Sequence, residues 1–468
     1  MPGGSAPSLT ARLTAGAAVA AVATAAWGGA ATAGTTAPVS RGLTGGSVPQ
    51  AITAGPGGDL WFTEHIGNRI GRISTRGAVI EYALGGGPPY VYGPPDIAAG
   101  PDGDLWFPES GSDRIARMTP RGVVTRFSAG ISAGAFPMGI TVGPDGNLWF
   151  TEYGGGRVGR ITPGGVVTEF AAGITGGIPG PIAAGPGGDV WFAESAPDGI
   201  ASRVGRITPA GRVTEYRLGG AARSGISDVA AGPDGNLWFT LRGDRVGRIT
   251  PAGAVRFFSA GISPGSTPGG IAAGPDGNVW FTEGTATGRT RSAPVAGGTV
   301  ARITPAGVVT EFSSGISAGA APGGIAAGAD GNLWFTEDNR IARITPAGTV
   351  SEFPPTAAIL GIRLRGTRSV VVRLHCPPGA ARHCRGTLTE RLGPPAPRRL
   401  PTLARRIDIA PGRTAAVTYP LRAAGRRQLA VHGRVSVGVV LRPSPPGTAG
   451  RVQAGATLRP PDPPAVAG

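Results

Sequence analysis

Seven times along this chain a Trp-Phe pair closes a short apolar run, at Trp61, Trp106, Trp149, Trp191, Trp238, Trp280 and Trp334. The intervals between them are 45, 43, 42, 47, 42 and 54 residues. Around the pairs one phrase keeps returning, as STPGGIAAGPDGNVWFTE at 266–283, APGGIAAGADGNLWFTE at 321–337 and FPMGITVGPDGNLWFTE at 136–152. A single copy is too short to bury both faces of its own strands, so the copies must cover one another. A period of roughly 40–50 residues with several short strands per copy predicts a β-propeller.

Each copy divides into four strands. In the third they are GITVG (139–143), NLWFTE (147–152), RVGRIT (157–162) and GVVTEF (165–170). Asp145-Gly146 and Pro163-Gly164 hold the turn positions between them. The 83 Gly and 46 Pro fall at these fixed intervals, between runs of β-branched and aromatic residues, so they mark turns and not a low-complexity chain. The expected fold class is all-β, a seven-bladed β-propeller followed by a small β-sandwich-like C-terminal domain. The seventh copy carries its own fourth strand, TVSEF (349–353), which leaves no gap for an N-terminal strand to fill.

Alternating strand direction separates two faces. Turns after the first and third strands, GPDG and TPAG, are short and uniform. The other face carries variable loops, among them GGGPPYVYGPPD (85–96), SAPDGIAS (195–202) and GTATGRTRSAPVAGG (284–298). Variable loops on a rigid scaffold are where binding sites collect, so a site is expected on this face.

The expected propeller runs from 45 to 356, with flanks of different character. Residues 1–33 read as a secretory signal, with Arg12, the apolar LTAGAAVAAVATAAW and an Ala31-Thr32-Ala33 cleavage site. A membrane anchor is the competing reading, but the apolar stretch is short and rich in Ala and Gly. Residues 34–44 follow as a linker. Export to the outside of the cell or its wall is therefore expected. Residues 357–443 form the basic sandwich-like domain and 444–468 a Pro-rich disordered tail. Residues 1–356 balance 25 Arg against 25 acids, whereas 357–468 hold 19 Arg and 3 acids, so the whole net charge of +16 lies there. Such a domain suits an anionic cell-wall polymer or acidic lipid. Nucleic acid is not expected, because Tyr419 is the domain's one aromatic residue and bases would have almost nothing to stack on. Cys376 and Cys384, the only cysteines, are expected to form a disulfide in an exported protein. Zinc on the His375-Cys376 and His383-Cys384 pairs is disfavoured, because neighbours on a strand point to opposite faces.

The phrases P-x-G-I, G-P-D-G-N-L-W-F-T-E, R-I-G-R-I-T and G-x-V-T-E-F resemble the repeats of the streptogramin B lyases (virginiamycin B lyase), across roughly residues 45–353. The resemblance implies a seven-bladed propeller that linearises a cyclic depsipeptide antibiotic by elimination across its ester carbon–oxygen bond. It implies a histidine general base, and Mg²⁺ held by carboxylates to stabilise the developing enolate. The family's two functional histidines fall at the x of P-x-G-I in the sixth and seventh repeats, which here are Gly269 and Gly323. The metal-binding Glu before the seventh Pro is Ala321, and Asp338 or its neighbour Glu337 stands where the second metal carboxylate would be. Along all seven repeats x reads Gln50, Pro95, Met138, Gly180, Ser227, Gly269 and Gly323, none of which titrates near neutrality.

Other candidates are then weighed. His65 is the propeller's one histidine, either a substitute base on the variable face or a solvated loop residue. The acids Glu64, Glu109, Glu152, Glu194, Glu283 and Glu337 form a series broken by Leu241. They either ring a cation or pair with Arg72, Arg117, Arg160, Arg206, Arg248, Arg302 and Arg343, and the equal numbers of acids and Arg favour pairing. Residues that do not repeat are the better ligand-binding candidates: Gln50, Tyr90, Tyr92, Met138, Tyr153 and Arg242. GISAG at 130–134 and 315–319 matches a nucleophile elbow but lies in links between blades, so it reads as spacer. Three readings of function follow. The favoured one is a propeller, most simply a monomer, that binds a small molecule or protein without a cofactor. The second is a Mg²⁺-dependent lyase with relocated groups. The third is a wall-associated interaction scaffold.

Overall fold

The computed structural model describes residues 32–35, 38–40, 43–44, 47–85, 93–175, 177–195, 202–219, 225–285, 298–317 and 320–353. Toward the C-terminus it describes 358–365, 369–376, 384–392, 403–410, 413–421, 426, 435–443 and 452–458. Almost all of the signal-like segment, most of the three variable loops, and Tyr90 and Tyr92 lie outside the described residues.

Seven antiparallel sheets, each with its strands in chain order from the axis outward, form the blades of a propeller. The third is Pro137–Val142, Leu148–Glu152, Arg157–Ile161 and Val167–Phe170. Two sheets gain a fifth, outermost strand. Pro38–Ser40 pairs with Val79–Ala83 of the first blade, and Thr32–Thr35 with Val123–Phe127 of the second. Part of the expected linker is therefore paired backbone.

The seventh blade does keep all four of its own strands, ending with Val350–Phe353. Among the described residues no strand is exchanged to close the ring. The inner strands touch in one continuous cycle, and three hydrogen bonds join the last blade to the first. Gly324 N and Thr336 Oγ1 donate to the Gln50 carbonyl at 3.1 and 2.8 Å, and Arg343 Nη1 donates to that of Thr75 at 3.3 Å.

The repeated tryptophan explains the repeated arginine. Antiparallel register sets Trp149 opposite Arg160, whose guanidinium lies 5.5 Å from the centroids of both Trp149 and Phe170. Trp149 itself stacks on Phe170, at 5.4 Å between ring centroids. Arg160 Nη1 then donates to the Pro209 carbonyl of the next blade at 2.9 Å. The same bond from Arg117, Arg206, Arg248 and Arg302 carries the cement around the ring. Gly211, in the turn those contacts reach, has φ of 85°, and a Cβ there would fall 2.3 Å from the Phe170 ring. Only glycine satisfies both demands. All seven tryptophans are fully buried. The expected pairing of this Arg series with the glutamates is thus corrected, because register gives these arginines to Trp and to the turn aspartates.

The C-terminal segment forms two further sheets. One holds Ala358–Arg365, Ser369–His375 and Thr414–Pro420; the other Leu403–Ile409, Cys384–Leu392, Val435–Pro443 and Val452–Leu458. A Cys376–Cys384 disulfide, with Cα atoms 5.6 Å apart, connects the first sheet to the second. The Pro-rich tail drawn from residue 444 needs correction, since Val452–Leu458 pairs along Val435–Pro443. VQAGATL has no proline; the prolines flank it at 443–446 and 460–464.

Candidate functional site

The inner strands carry the residues that surround the axis. In several blades the threonine of W-F-T serves two of these strands at once. Thr151 Oγ1 accepts from Gly139 N at 3.0 Å and donates to the Gly180 carbonyl of the next blade at 2.7 Å. Thr240 and Thr282 make the same bond to the carbonyls of Gly269 and Gly323, each at 2.6 Å. The positions where the resemblance leads one to expect histidines are therefore backbone anchors without side chains. A Cβ on Gly269 would sit 2.9 Å from Thr282 Oγ1, and one on Gly323 2.9 Å from Thr336 Oγ1. A histidine in either place must displace a hydroxyl already committed to the neighbouring blade.

Two acids on the inner strands escaped sequence reasoning. Asp96 accepts from the N–H of Ile97 and of Ile140 in the next blade, both at 2.8 Å. Asp228 accepts from Val229 at 2.8 Å and from Ile271 of the next blade at 3.0 Å. Burial pushes their carboxyls up to about 7 and about 6, against the lowering effect of those bonds. Both oxygens of each acid are engaged by backbone, so these side chains clamp blade to blade. The available signal was an Asp at the third position of the P-x-G-I phrase, in PPDI and ISDV.

On the variable face, Phe136 and Tyr153 are half exposed, at 50% and 53%. Phe136 precedes Pro137 and holds φ of 47°, a strained conformation for a bulky residue. Asp113 of the second blade maintains it, accepting from Gly134 N at 2.8 Å and Phe136 N at 2.9 Å. Tyr153 N donates to the Phe136 carbonyl at 3.1 Å, so the two residues are backbone neighbours across the first hairpin of the third blade. Met138 follows on the same inner strand, its Sδ 3.9 Å from Ser110 Oγ. Sequence reasoning found Tyr153 and Met138 but missed Phe136, whose signal was a lone aromatic before the P-x-G-I proline.

The remaining candidates stand on other blades. Gln50, exposed at the start of the first blade, lends its carbonyl to ring closure. His65, in the turn after Leu60–Glu64, is partly buried and its pKa is lowered by that burial. Arg242 is exposed on the fifth blade, its N–H bonded to the Gly225 carbonyl at 3.2 Å.

The glutamate series does not ring a cation. Each member lies between strands of its own blade, and an arginine of its third strand accompanies it in five. Arg69 is 3.2 Å from Glu64, Arg114 2.8 Å from Glu109, Arg157 3.7 Å from Glu152 and Arg203 3.9 Å from Glu194. Arg340 accompanies Glu337, and burial together with the charge of Glu352 pushes Glu337 up to about 8. Asp338 lies in an exposed turn beside Glu337, and Ala321 offers no donor. One buried acid, an exposed Asp and an alanine do not make a Mg²⁺ donor set, and among the described residues no group of three or more His, Cys, Asp or Glu could hold a metal. The GISAG links are more than spacers. Ser132 N and Oγ donate to Glu169 at 2.6 and 2.7 Å, and Ser317 Oγ donates to Glu352 at 2.6 Å.

A closed ring of seven four-stranded blades with variable loops on one face defines a seven-bladed β-propeller. Two overlapping matches, over residues 28–222 and 90–312, place the chain in the Virginiamycin B lyase family, and it belongs to that family. A streptogramin B lyase structure is 28% identical, covering 67% of this chain and 97% of its own, with a TM-score of 0.57. Virginiamycin B lyase from Staphylococcus aureus is 31% identical over 66% of this chain and 98% of its own, with a TM-score of 0.56. A catalytically inactive histidine-to-alanine form of that enzyme, with quinupristin, is 30% identical, covering 67% and 99%, with a TM-score of 0.56. No curated protein matches the chain.

Proposed function

We propose that this is an exported, ligand-binding propeller that does not perform the elimination associated with its family. One observation carries the reading: the positions where the resemblance leads one to expect histidines are Gly269 and Gly323. Elimination needs a base that titrates near neutrality within reach of the proton removed, and glycine supplies none. The misfit of Ala321, Glu337 and Asp338 to Mg²⁺ supports the same reading. The ligand sits on the aromatic platform of Phe136, Tyr153 and Met138, where strain holds an apolar ring toward solvent.

The test incubates purified protein with a streptogramin B-type depsipeptide and Mg²⁺, and follows ring opening by mass spectrometry. No ring opening is expected. Mg²⁺-dependent turnover lost in His65→Ala would establish the alternative, a Mg²⁺-dependent carbon–oxygen lyase acting in antibiotic resistance. A second reading rests on the +16 charge of residues 357–468, which suits a module that holds the propeller at an anionic cell-wall polymer. Cell fractionation with and without those residues tests it, and equal release of both forms into the medium would remove it.

A further inference from the structure

The outer strands carry a second carboxylate series, Glu81, Glu169, Glu215, Glu311 and Glu352. Each meets the glutamate that ends the second strand of its own blade. Glu64 lies with Glu81, Glu152 with Glu169, Glu194 with Glu215, Glu283 with Glu311 and Glu337 with Glu352, each second acid raising the first. In the third and fourth blades one arginine, Arg157 or Arg203, lies 3.4–3.9 Å from both members. Two ionised carboxylates have no donor between them and repel, and both oxygens of Glu152, Glu194 and Glu337 are buried without a hydrogen-bond partner, which favours a proton on one acid of each pair.

The surroundings do not supply enough positive charge to hold both ionised. In the first blade Arg69 reaches Glu64 at 3.2 Å, while Thr44 N and Oγ1 donate to Glu81. In the third, Arg157 lies 3.7 Å from Glu152 and 3.4 Å from Glu169; Ser132 bonds Glu169 and Asp113 adds negative charge. In the fourth, Arg203 lies 3.9 Å from both acids and Thr175 bonds Glu215. In the seventh, Arg340 lies 3.8 Å from Glu352, Ser317 bonds Glu352 and Asp338 adds negative charge. In the sixth, Thr299 takes the position of the arginine. Thr299 donates to Glu283, Ser263 to Glu311, and Asp244 adds negative charge.

Two blades serve as internal controls. The second replaces the outer acid with Arg126, whose Nε donates to both oxygens of Glu109 at 3.0 and 2.9 Å. The fifth loses both acids together, as Leu241 and Phe257, and Phe257 packs edge-on against Phe239 at 6.1 Å. No blade keeps one glutamate opposite an apolar residue. The rim thus has three solutions, an acid pair, an acid with arginine, or neither acid.

We propose that the acid pairs of the first, third, fourth, sixth and seventh blades each hold one shared proton in neutral solution, so that the seams beneath the variable face tighten in acid and loosen in alkali. Burial pushes Glu152 up to about 8 and Glu194 and Glu283 to about 7, and Glu64 well above its ordinary value. Carboxyls with folded values above their unfolded ones contribute stability that is complete below the unfolded value. That stability is lost as pH rises through the folded one, here between about 4.5 and about 8. Asp96 and Asp228 act with the same sign, so variants must separate the pairs from the inner-strand acids.

Infrared spectra of the full chain at neutral pH are expected to show the carbonyl stretch of protonated carboxylic acids, reduced in Glu152→Gln. Thermal midpoints are expected to fall by several degrees from about pH 5 to about pH 9. Glu152→Gln keeps an N–H toward Glu169, so its midpoint falls less and exceeds that of the parent at the alkaline end. Glu152→Leu with Glu169→Phe copies the fifth blade and removes the same share of the pH dependence. Absence of the acid band in the parent protein overturns the proposal, as does an undiminished fall in both variants. Loss of the band on adding Mg²⁺ or Ca²⁺ alone overturns it too, by showing that a cation joins the carboxyls.

Discussion

The two faces of this ring are built from the same seven hairpins, yet they treat a buried carboxylate in opposite ways. At the uniform end Asp145 accepts from Trp149 Nε1 at 2.9 Å and Asn147 Nδ2 at 2.8 Å. Burial pushes that aspartate up, but these bonds outweigh it and leave its pKa below the ordinary value. Asp234, Asp276 and Asp330 behave alike. At the variable end, two residues beyond the Phe that follows the same Trp, Glu152 has only Arg157 and another glutamate for company, and it is pushed up. The difference lies in the supply of donors. A D-G-N turn brings its own N–H groups, and an indole adds one at fixed distance, so the charge is kept. The rim brings a second acid, so a proton is kept instead.

The largest effect that would test this contrast is at the tryptophans. Trp149→Ala and Trp238→Ala are each expected to destabilise by about 3–5 kcal/mol, measured by denaturant unfolding. Equal losses fit one uniform face, whereas a wide gap between the third and fifth blades would break it. Next comes Leu241→Glu, which puts a lone acid where the fifth blade has none. A loss of about 3 kcal/mol is expected at neutral pH, shrinking in acid, with part of it recovered by adding Phe257→Glu. No recovery would show that the acids do not need each other.

Asp145→Ala should cost about 2 kcal/mol by leaving the Trp149 N–H without its acceptor. Because the folded pKa is depressed, that contribution is present above the unfolded value and is lost as pH falls through the folded one. The gap between parent and variant therefore closes in acid, the reverse of the rim glutamates. A gap that widens in acid would cancel the distinction between faces. The smallest effect on stability belongs to Phe136→Ala and Tyr153→Ala, each expected within about 1 kcal/mol. Calorimetric titration of the streptogramin B-type depsipeptide should nevertheless show weaker binding in both. Unchanged binding would move the site off the third blade.

Much of this was legible before any fold was known. Seven Trp-Phe pairs at a near-constant interval specified blades, their number and their strands, because period and alternation are local properties of the chain. The expectation that Gly269, Gly323 and Ala321 stand where the resemblance implies histidines and a metal acid rests on the repeat phrase alone. Pairing was less legible. The regular Arg72 series looked like the partner of the regular glutamates, but register set it against tryptophan, and Arg69 and its counterparts took the acids. Even so, Leu241 and Phe257 both stand where other blades have glutamate, a paired loss visible in the repeats themselves.

The sequence by itself determined the scaffold, since one hairpin phrase written seven times leaves few ways to bury its aromatic faces. Only the tertiary structure decided which acids would keep a proton, how the last blade meets Gln50 of the first, and that Phe136 would stand strained toward solvent. Those outcomes depend on what lies across a seam between strands or blades distant in the chain. Hydrogen-bond supply and desolvation are set by that neighbour, and no local pattern records who the neighbour is.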